Sequence, residues 1–499
     1  MKISYSKSLN AKPDILLCPV CEEQTAHKKL DPKIKSYLNE LIEKNLFKGK
    51  PGEKELIYTK EKGRGGIAQF ICFIGLGKKS KLNEETVRNS FANAMKSSMK
   101  ESVNSVGVYV YPDFQKYINT IIEAILLVNY EPAKYKTGKN AKKLVKKLFS
   151  ELVVFTDKTS KSLKDEIDAI KTIANAVHAT RDYVNAPANI MSVEKFAEEA
   201  KNIAKEIKCS VTIFDEKKLE KMGMGAFLGV NSGSGKREAR MVILDYKPKN
   251  LKKTDKLKPL LLVGKGMVFD SGGYNLKPSK YIEDMQQDKA GGAVVLGVFK
   301  ALKSLNVKRR IIGIVPLAEN LIDADAQRPS DIVTSYSGKT IEIRNTDAEG
   351  RMVLADGMAY GVEKYKPEYV IDIATLTGAC IVALGDRYAG VFGNDKTLIK
   401  KLIESSNKTD ELLWELPIHK DFTKSMKGKF ADLRNIDDGS SYLAGASKAA
   451  AFLMNFVDKT KWAHIDVAGT AYAKKPKPCE KEFATGFGVR LLADLIENL

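Results

Sequence analysis

The sequence predicts an α/β protein of two domains, each a mixed or mostly parallel sheet flanked by helices. Three observations carry this. The chain has 499 residues, and at a prior of roughly 150 per domain it is long enough for more than one core. Short β-branched and apolar runs alternate with helical periodicities along its whole length. In the second half several of those runs are apolar throughout, as strands are when helices cover both faces of their sheet.

In the first domain, residues 1–160, strand-like runs at Asp14 to Val20, Ile67 to Ile74, Ser105 to Tyr111 and Leu152 to Thr156 alternate with helical patterns. Those patterns span Pro32 to Leu46, Glu84 to Lys100 and Phe114 to Leu127. A connecting helix at residues 161–185 follows, with Leu163, Ile167, Ile170, Ala174 and Val177 spaced by three and four. It ends before Asn185-Ala186-Pro187, because the residue preceding proline is pushed out of the helical region. The second domain, residues 186–499, reads strands at Ser210 to Phe214, Arg240 to Tyr246, Pro259 to Phe269 and Arg310 to Pro316. Further strands are expected at Thr340 to Arg344, Tyr369 to Ala374 and Ala463 to Val467.

Composition excludes several classes. Gly and Pro are near average and no apolar run approaches a membrane span. The start MKISYSKSLNAKPDILLCPV lacks a long enough apolar stretch for a signal peptide, so the expected location is cytoplasmic. Six cysteines are too sparse for a disulfide framework, and Cys18-x-x-Cys21 has no second pair at zinc-ligand spacing. The net charge of +20 is uneven: residues 1–160 hold 29 basic and 17 acidic side chains. Lys139, Lys142, Lys143, Lys146 and Lys147 form the densest stretch, where the alternative of nucleic-acid binding arises. A solvated lysine-rich face is preferred, because Tyr135 alone interleaves and no arginine set for base reading is present.

Three motifs fail on spacing. GVNSGSGKR (229–237) lacks the first glycine and the Ser or Thr of a phosphate loop, and MGMGAFLG (222–229) is one residue too long for a dinucleotide fingerprint. The four histidines, His27, His178, His419 and His464, are scattered and form no H-E-x-x-H. What holds is a cluster over three segments: VGKGMVFDSGGYNLKP (263–278), MQQDKAGG (285–292) and IRNTDAEGR (343–351). Each sits where loops leave a predicted strand or turn, the expected place for chemistry in such sheets. Asp347 and Glu349 are two apart, so an extended segment would project both to one side. Asp270, Asp288, Asp347 and Glu349 supply four negative charges, matching two divalent ions. Such a pair lowers the pKa of water and polarises the bond it attacks, which implies hydrolysis. Beside dications Lys265 could ligate as a neutral amine, while Lys277 and Arg351 could stay charged and bind a carbonyl oxygen or an anion. A phosphodiesterase would use the same ions, but the available cations are already assigned.

NTDAEGR (345–351) resembles the signature of the leucyl aminopeptidase, or cytosol aminopeptidase, family. The resemblance extends over roughly residues 180–499, through RDYVNAPAN (181–189), VGKGMVFDSGG (263–273), IATLTGA (373–379), ADLRN (431–435) and WAHIDVAGTA (462–471). It implies metal ligands at Lys265, Asp270, Asp288, Asp347 and Glu349 and catalytic roles for Lys277 and Arg351, with two Zn or Mn ions and a bicarbonate near Arg351. It also implies peptide substrates, a catalytic C-terminal domain, a homohexamer, and an N-terminal domain that regulates or builds the oligomer. Met285, Thr375, Leu376 and Gly378 match the walls of a pocket for a Leu-like first residue. The sequence departs from the family pattern at Lys289, where methionine is usual, and at Ser447 and Lys448 in LAGASKAAAF.

Overall fold

The computed structural model describes residues 1–499 apart from 23–29, 60–66, 100–102, 140–147, 158–160, 236, 249–250, 252–256 and 438–442. Lys142, Lys143, Lys146 and Lys147 lie outside the described residues, and Lys139 is exposed. The chain forms two compact units, residues 1–174 with 475–482, and residues 175–474 with 483–499. The boundary falls inside the helix Lys161–Asn185.

In the first unit the strands are β1 (Lys2–Ser6), β2 (Ile15–Val20), β3 (Lys54–Tyr58), β4 (Phe70–Gly75), β5 (Ser105–Tyr109) and β6 (Glu151–Phe155). Their order is β1-β6-β5-β2-β4-β3, parallel except for β3 against β4. Central β2 is buried along its whole length, whereas β1 and β3 are edge strands with alternating exposure. The helix Glu84–Ser98 starts where the Asn83 side chain accepts the Thr86 N–H, a satisfied N-cap. Within the same unit the returning segment is anchored by Lys96 Nζ, which donates to the Lys477 carbonyl at 2.6 Å. Cys18, Cys21 and Cys72 are buried. Burial pushes the Cys18 thiol well above its ordinary value and the Cys72 thiol up to about 12, so both behave as packing.

The second unit continues with β7 (Ser210–Phe214), β8 (Arg240–Tyr246), β9 (Leu260–Gly264), β10 (Gly266–Asp270) and β11 (Ile311–Asn320). A small sheet holds β12 (Ile332–Thr334), β13 (Thr340–Glu342) and, later, β17 (Leu433–Arg434). The main sheet is completed by β14 (Tyr369–Ala374), β15 (Ala389–Gly393), β16 (Leu413–Glu415) and β18 (Lys461–Asp466). Its order is β16-β15-β18-β14-β9-β11-β8-β7, with β10 also paired to β11. Strands β18, β14, β9 and β11 run parallel at its centre and are buried on both faces.

The apolar run read from Pro259 to Phe269 as one strand is two. The ten-residue β11 pairs first with β9 through Ile311 to Ile314 and then with β10 through Leu317 to Asn320. Lys265 occupies the break, its N–H still bonded to the Ile373 carbonyl at 3.1 Å. Apolar periodicity is silent about such a division, because both halves are equally buried.

Close approach of backbone makes this centre. A Cβ on Gly291 would lie 2.0 Å from the Ile373 carbonyl oxygen, and one on Gly264 would lie 2.4 Å from that of Gly291. Helix Ala290–Ala301 therefore seats directly on the carboxyl ends of β9 and β14. Gly291→Ala is expected to lower unfolding free energy by about 1–3 kcal/mol, the usual range for overpacking. Urea denaturation of the full-length chain checks this, and an unchanged midpoint would refute the packing argument.

Candidate active site

From β9 the chain passes to β10 and β11 on one side and later to β14 on the other, so the order reverses between β9 and β14. Open α/β sheets bind ligands outside the carboxyl ends of strands at such a reversal. Lys265 leaves β9 there, and its Nζ donates to the Thr375 carbonyl, just past β14, at 2.9 Å. The same ammonium contacts Asp288 Oδ1 and Glu349 Oε1, each at 2.8 Å, and is 3% exposed. A Cβ at Gly350 would strike it, at 2.7 Å from Nζ.

Lys277 forms the second bridge. Its Nζ lies 2.7 Å from Asp270 Oδ2 and also contacts Asp347 Oδ1. Carboxylate oxygens of Asp270, Asp347 and Glu349 all fall within 4.8 Å of one another. The structure thus brings Lys265, Asp270, Lys277, Asp288, Asp347 and Glu349 into one connected cluster. Asp347 and Glu349 do not arrive by alternation along an extended segment. Residues Thr346 and Asp347 form a turn, closed by the Asp347 N–H on Asn345 Oδ1 at 2.7 Å, and Glu349 is the N-cap of helix Gly350–Tyr365. Capping and turn chemistry override strand alternation here because Asn345 offers its own side chain to the backbone.

The electrostatics follow from burial. Desolvation pushes Asp288 up to about 8 and Asp347 up to about 7, although a lysine opposes the rise at each. Burial also raises Asp270, with Glu349 reinforcing the shift. Burial alone would raise Glu349, but Lys265 and Lys277 outweigh it and hold the carboxyl below its ordinary value. Burial opposes the charge on Lys265 and Lys277, yet the surrounding carboxylates hold both ammonium groups above the ordinary lysine value. Four carboxylates face two ammonium groups, and the buried Asp288 Oδ2 has no hydrogen-bond partner among the described residues. An oxygen-rich donor set with surplus negative charge and an unpartnered carboxylate oxygen suits hard or borderline divalent cations.

Arg351, in the first turn of its helix, is 7% exposed and donates through Nη1 to the Asn435 carbonyl at 2.6 Å. Its buried Nε has no partner among the described residues. Burial lowers its pKa to about 10, which leaves the guanidinium charged at neutral pH.

Of the expected pocket residues, Thr375 is buried and donates through Oγ1 to Asp288 Oδ1 at 2.7 Å. Leu376 is half-buried, Gly378 exposed with open space at its Cβ position, and Met285 half-buried at the start of the turn Met285–Lys289 that delivers Asp288. Lys289 points away from the cluster. Its fully buried Nζ donates to the carbonyls of Ala186 at 2.9 Å and Gln286 at 2.6 Å, and desolvation lowers its pKa to about 7. Lys448 pairs with Asp437.

The chain belongs to the cytosol aminopeptidase family. The family profile described as "Cytosol aminopeptidase family, catalytic domain" matches residues 178–493, and its N-terminal domain matches residues 19–139. A "Probable cytosol aminopeptidase" of Phytoplasma mali is 39% identical over 99% of this chain and 97% of its own. One from Syntrophotalea carbinolica is 37% identical over 98% of each. Among solved structures, "Bottromycin maturation enzyme BotP in complex with Mn" superposes with a TM-score of 0.83 at 26% identity, covering 97% of this chain and 99% of that one. The protein is therefore a metallo-exopeptidase, a hydrolase of peptide bonds.

Residues that motif reading left without roles hold this aminopeptidase site in shape. Asn320, at the end of β11, donates through Nδ2 to Asp270 Oδ1 at 2.8 Å and to the Thr346 carbonyl at 3.0 Å, fixing two carboxylate loops together. Asn435 accepts from the Arg344 N–H at 2.8 Å and donates to the Asn345 carbonyl at 2.7 Å. Asp466 accepts from the Leu376 N–H at 3.1 Å and from the Thr377 hydroxyl at 2.7 Å, shaping the 375–378 loop. Beneath it His464 Nδ1 lies 2.6 Å from Asp372 Oδ1, on directly paired residues of β18 and β14, and Trp462 Nε1 donates to Asp372 Oδ2 at 2.6 Å. Asn435 lies in ADLRN, a segment that resembles the family, but an amide gives no periodic or charge signal.

Asn320→Ala is expected to lower aminopeptidase activity about 10- to 100-fold while leaving the fold intact, as outer-shell losses do. Activity assays beside circular dichroism test this, and full activity in the variant would contradict it. Burial alone would lower the His464 pKa, but Asp372 holds it above its ordinary value. The pair's contribution to stability is thus fully present below the unfolded pKa of about 6.5 and is lost as pH rises through the higher folded value. The stability gap between the native chain and Asp372→Asn should therefore shrink as pH rises above about 6.5. Unfolding curves showing a constant gap would overturn the assignment.

Proposed function

We propose that this chain releases single N-terminal residues, Leu-like ones preferred, from peptides, with residues 186–499 as the catalytic domain. Two divalent ions, Zn or Mn, would be held by Lys265, Asp270, Asp288, Asp347 and Glu349. The observation that carries the reading is the convergence of Asp270, Asp347 and Glu349 within 4.8 Å, linked through Lys265 to an Asp288 whose second oxygen is buried without a partner. When bound, such ions polarise the scissile carbonyl and make a water nucleophilic at neutral pH.

The protein groups divide the remaining work by charge state. Lys277 stays an ammonium because the surrounding carboxylates raise its pKa, so it serves as a donor to the carbonyl oxygen as negative charge develops there. It is unsuited to be the base. Arg351 holds an anion such as bicarbonate through its unpartnered Nε, placing a proton acceptor beside the attacking water. Lys265 ligates only if dications overturn the field that now favours its ammonium form. Thr375 orients Asp288 through the 2.7 Å hydrogen bond, while Met285, Leu376 and Gly378 line the pocket for the first side chain. Discrimination among apolar residues is modest, about 1–3 kcal/mol per methylene.

Hydrolysis of a leucyl anilide tests the reading. Turnover should vanish on chelation and return with Mn or Zn. Asp347→Ala and Glu349→Ala should each abolish it, and Lys277→Met should lower kcat about 10²- to 10³-fold with little change in KM. Undiminished turnover in the two carboxylate variants would remove the metal mechanism.

A further inference from the structure

The first unit contains a cavity of about 310 Å³ that the peptidase chemistry does not use. It opens at the carboxyl ends of three adjacent parallel strands, β1, β6 and β5, and is lined by Lys7, Tyr109, Tyr111, Phe155, Thr156 and Asp157. From β2 the chain runs to β3 and β4 on one side of the sheet and to β5 and β6 on the other, so the order reverses between β2 and β5. The Tyr111 hydroxyl spans that reversal, donating to the Pro19 carbonyl at 2.6 Å. The cavity lies beside that reversal, at carboxyl strand ends of the kind where open α/β sheets place ligands, and its volume is at the lower end of the small-ligand range of about 300–1,000 Å³.

The lining specifies a ligand class. Phe155 is buried, Tyr109 half-buried, and the Tyr109 and Tyr111 rings stand 5.7 Å apart at 44°, edge-stabilised by Phe114 at 4.9 Å from Tyr111. This floor is aromatic. Exposed Lys7 and Asp157 supply one charge of each sign. A phosphate is disfavoured, since an acidic side chain lines the cavity and Lys7 is the one cation among its described lining residues. An ammonium facing Asp157, a carboxylate facing Lys7 and an apolar body on the rings satisfy every group.

We propose that this cavity binds a free zwitterionic amino acid with an apolar or aromatic side chain, at a site distinct from the catalytic cluster. The side-chain class rests on the preference proposed above, because it is the product such a peptidase would release.

Binding of radiolabelled L-leucine to the full-length chain tests the proposal. The background is Asp347→Ala treated with chelator, so that the catalytic centre contributes nothing. One equivalent should bind, and added Asp157→Lys or Tyr109→Ala should weaken it at least tenfold. N-acetyl-leucine, which lacks the ammonium, should fail to compete. In an otherwise native chain, Asp157→Lys and Tyr109→Ala should leave leucyl anilide hydrolysis unchanged, which shows that they fold. Absence of binding, equal binding in both cavity variants, or effective competition by N-acetyl-leucine would overturn the proposal. A native enzyme inert toward leucyl anilide would instead strike the peptidase reading and leave this binding result standing.

Discussion

The second unit is organised around one electrostatic constraint: four carboxylates delivered to the carboxyl ends of buried central strands must be balanced inside a medium of low dielectric. Two lysines provide part of that balance, Lys265 between Asp288 and Glu349, and Lys277 between Asp270 and Asp347. Much else follows from it. The strand is divided at Lys265 so that its amine reaches inward, and Gly350 lacks the side chain that would fill the amine's place. Gly291 and Gly264 let a helix close directly on the strand ends beside the cluster. Burying an ion pair is weak evidence for stability, since desolvation offsets most of the attraction. Its retention at this spot fits a role in chemistry.

The sequence made the parallel centre legible because apolar content alone marks a strand covered on both faces. Edges were harder. β1 and β3 in the first unit, and β15 and β16 in the second, went unread: β1 and β3 have no fully buried position, β3 even exposing Leu56 and Tyr58, and β16 spans only Leu413–Glu415. The connecting helix was legible at its carboxyl end, since Pro187 forbids continuation past Asn185. In the site, charged residues announced themselves by charge and spacing, and all six of the acidic and lysine positions converge. Their supports did not, because Asn320, Asn435 and Asp466 act through single hydrogen bonds from strand or loop ends, which depend on a third dimension that spacing does not encode.

The departures from the family pattern show how a cation can be accommodated beside a charged centre. Lys289 follows a ligand candidate directly, yet its ammonium is turned to two backbone carbonyls, so the substitution acts on the neighbouring turn and on Ala186. Lys448 finds Asp437. Neither displaces a member of the cluster, which is consistent with carboxylate geometry being set by the backbone turns and amides around it.

The excursion of residues 475–482 into the first unit bears on biogenesis. A ribosome emits residues 1–174 before any of the second unit, but the piece that Lys96 grips follows only after residue 474. The first unit therefore lacks this segment until most of the second unit has been synthesised. Expressing it alone by truncation after residue 174 would omit part of its own structure.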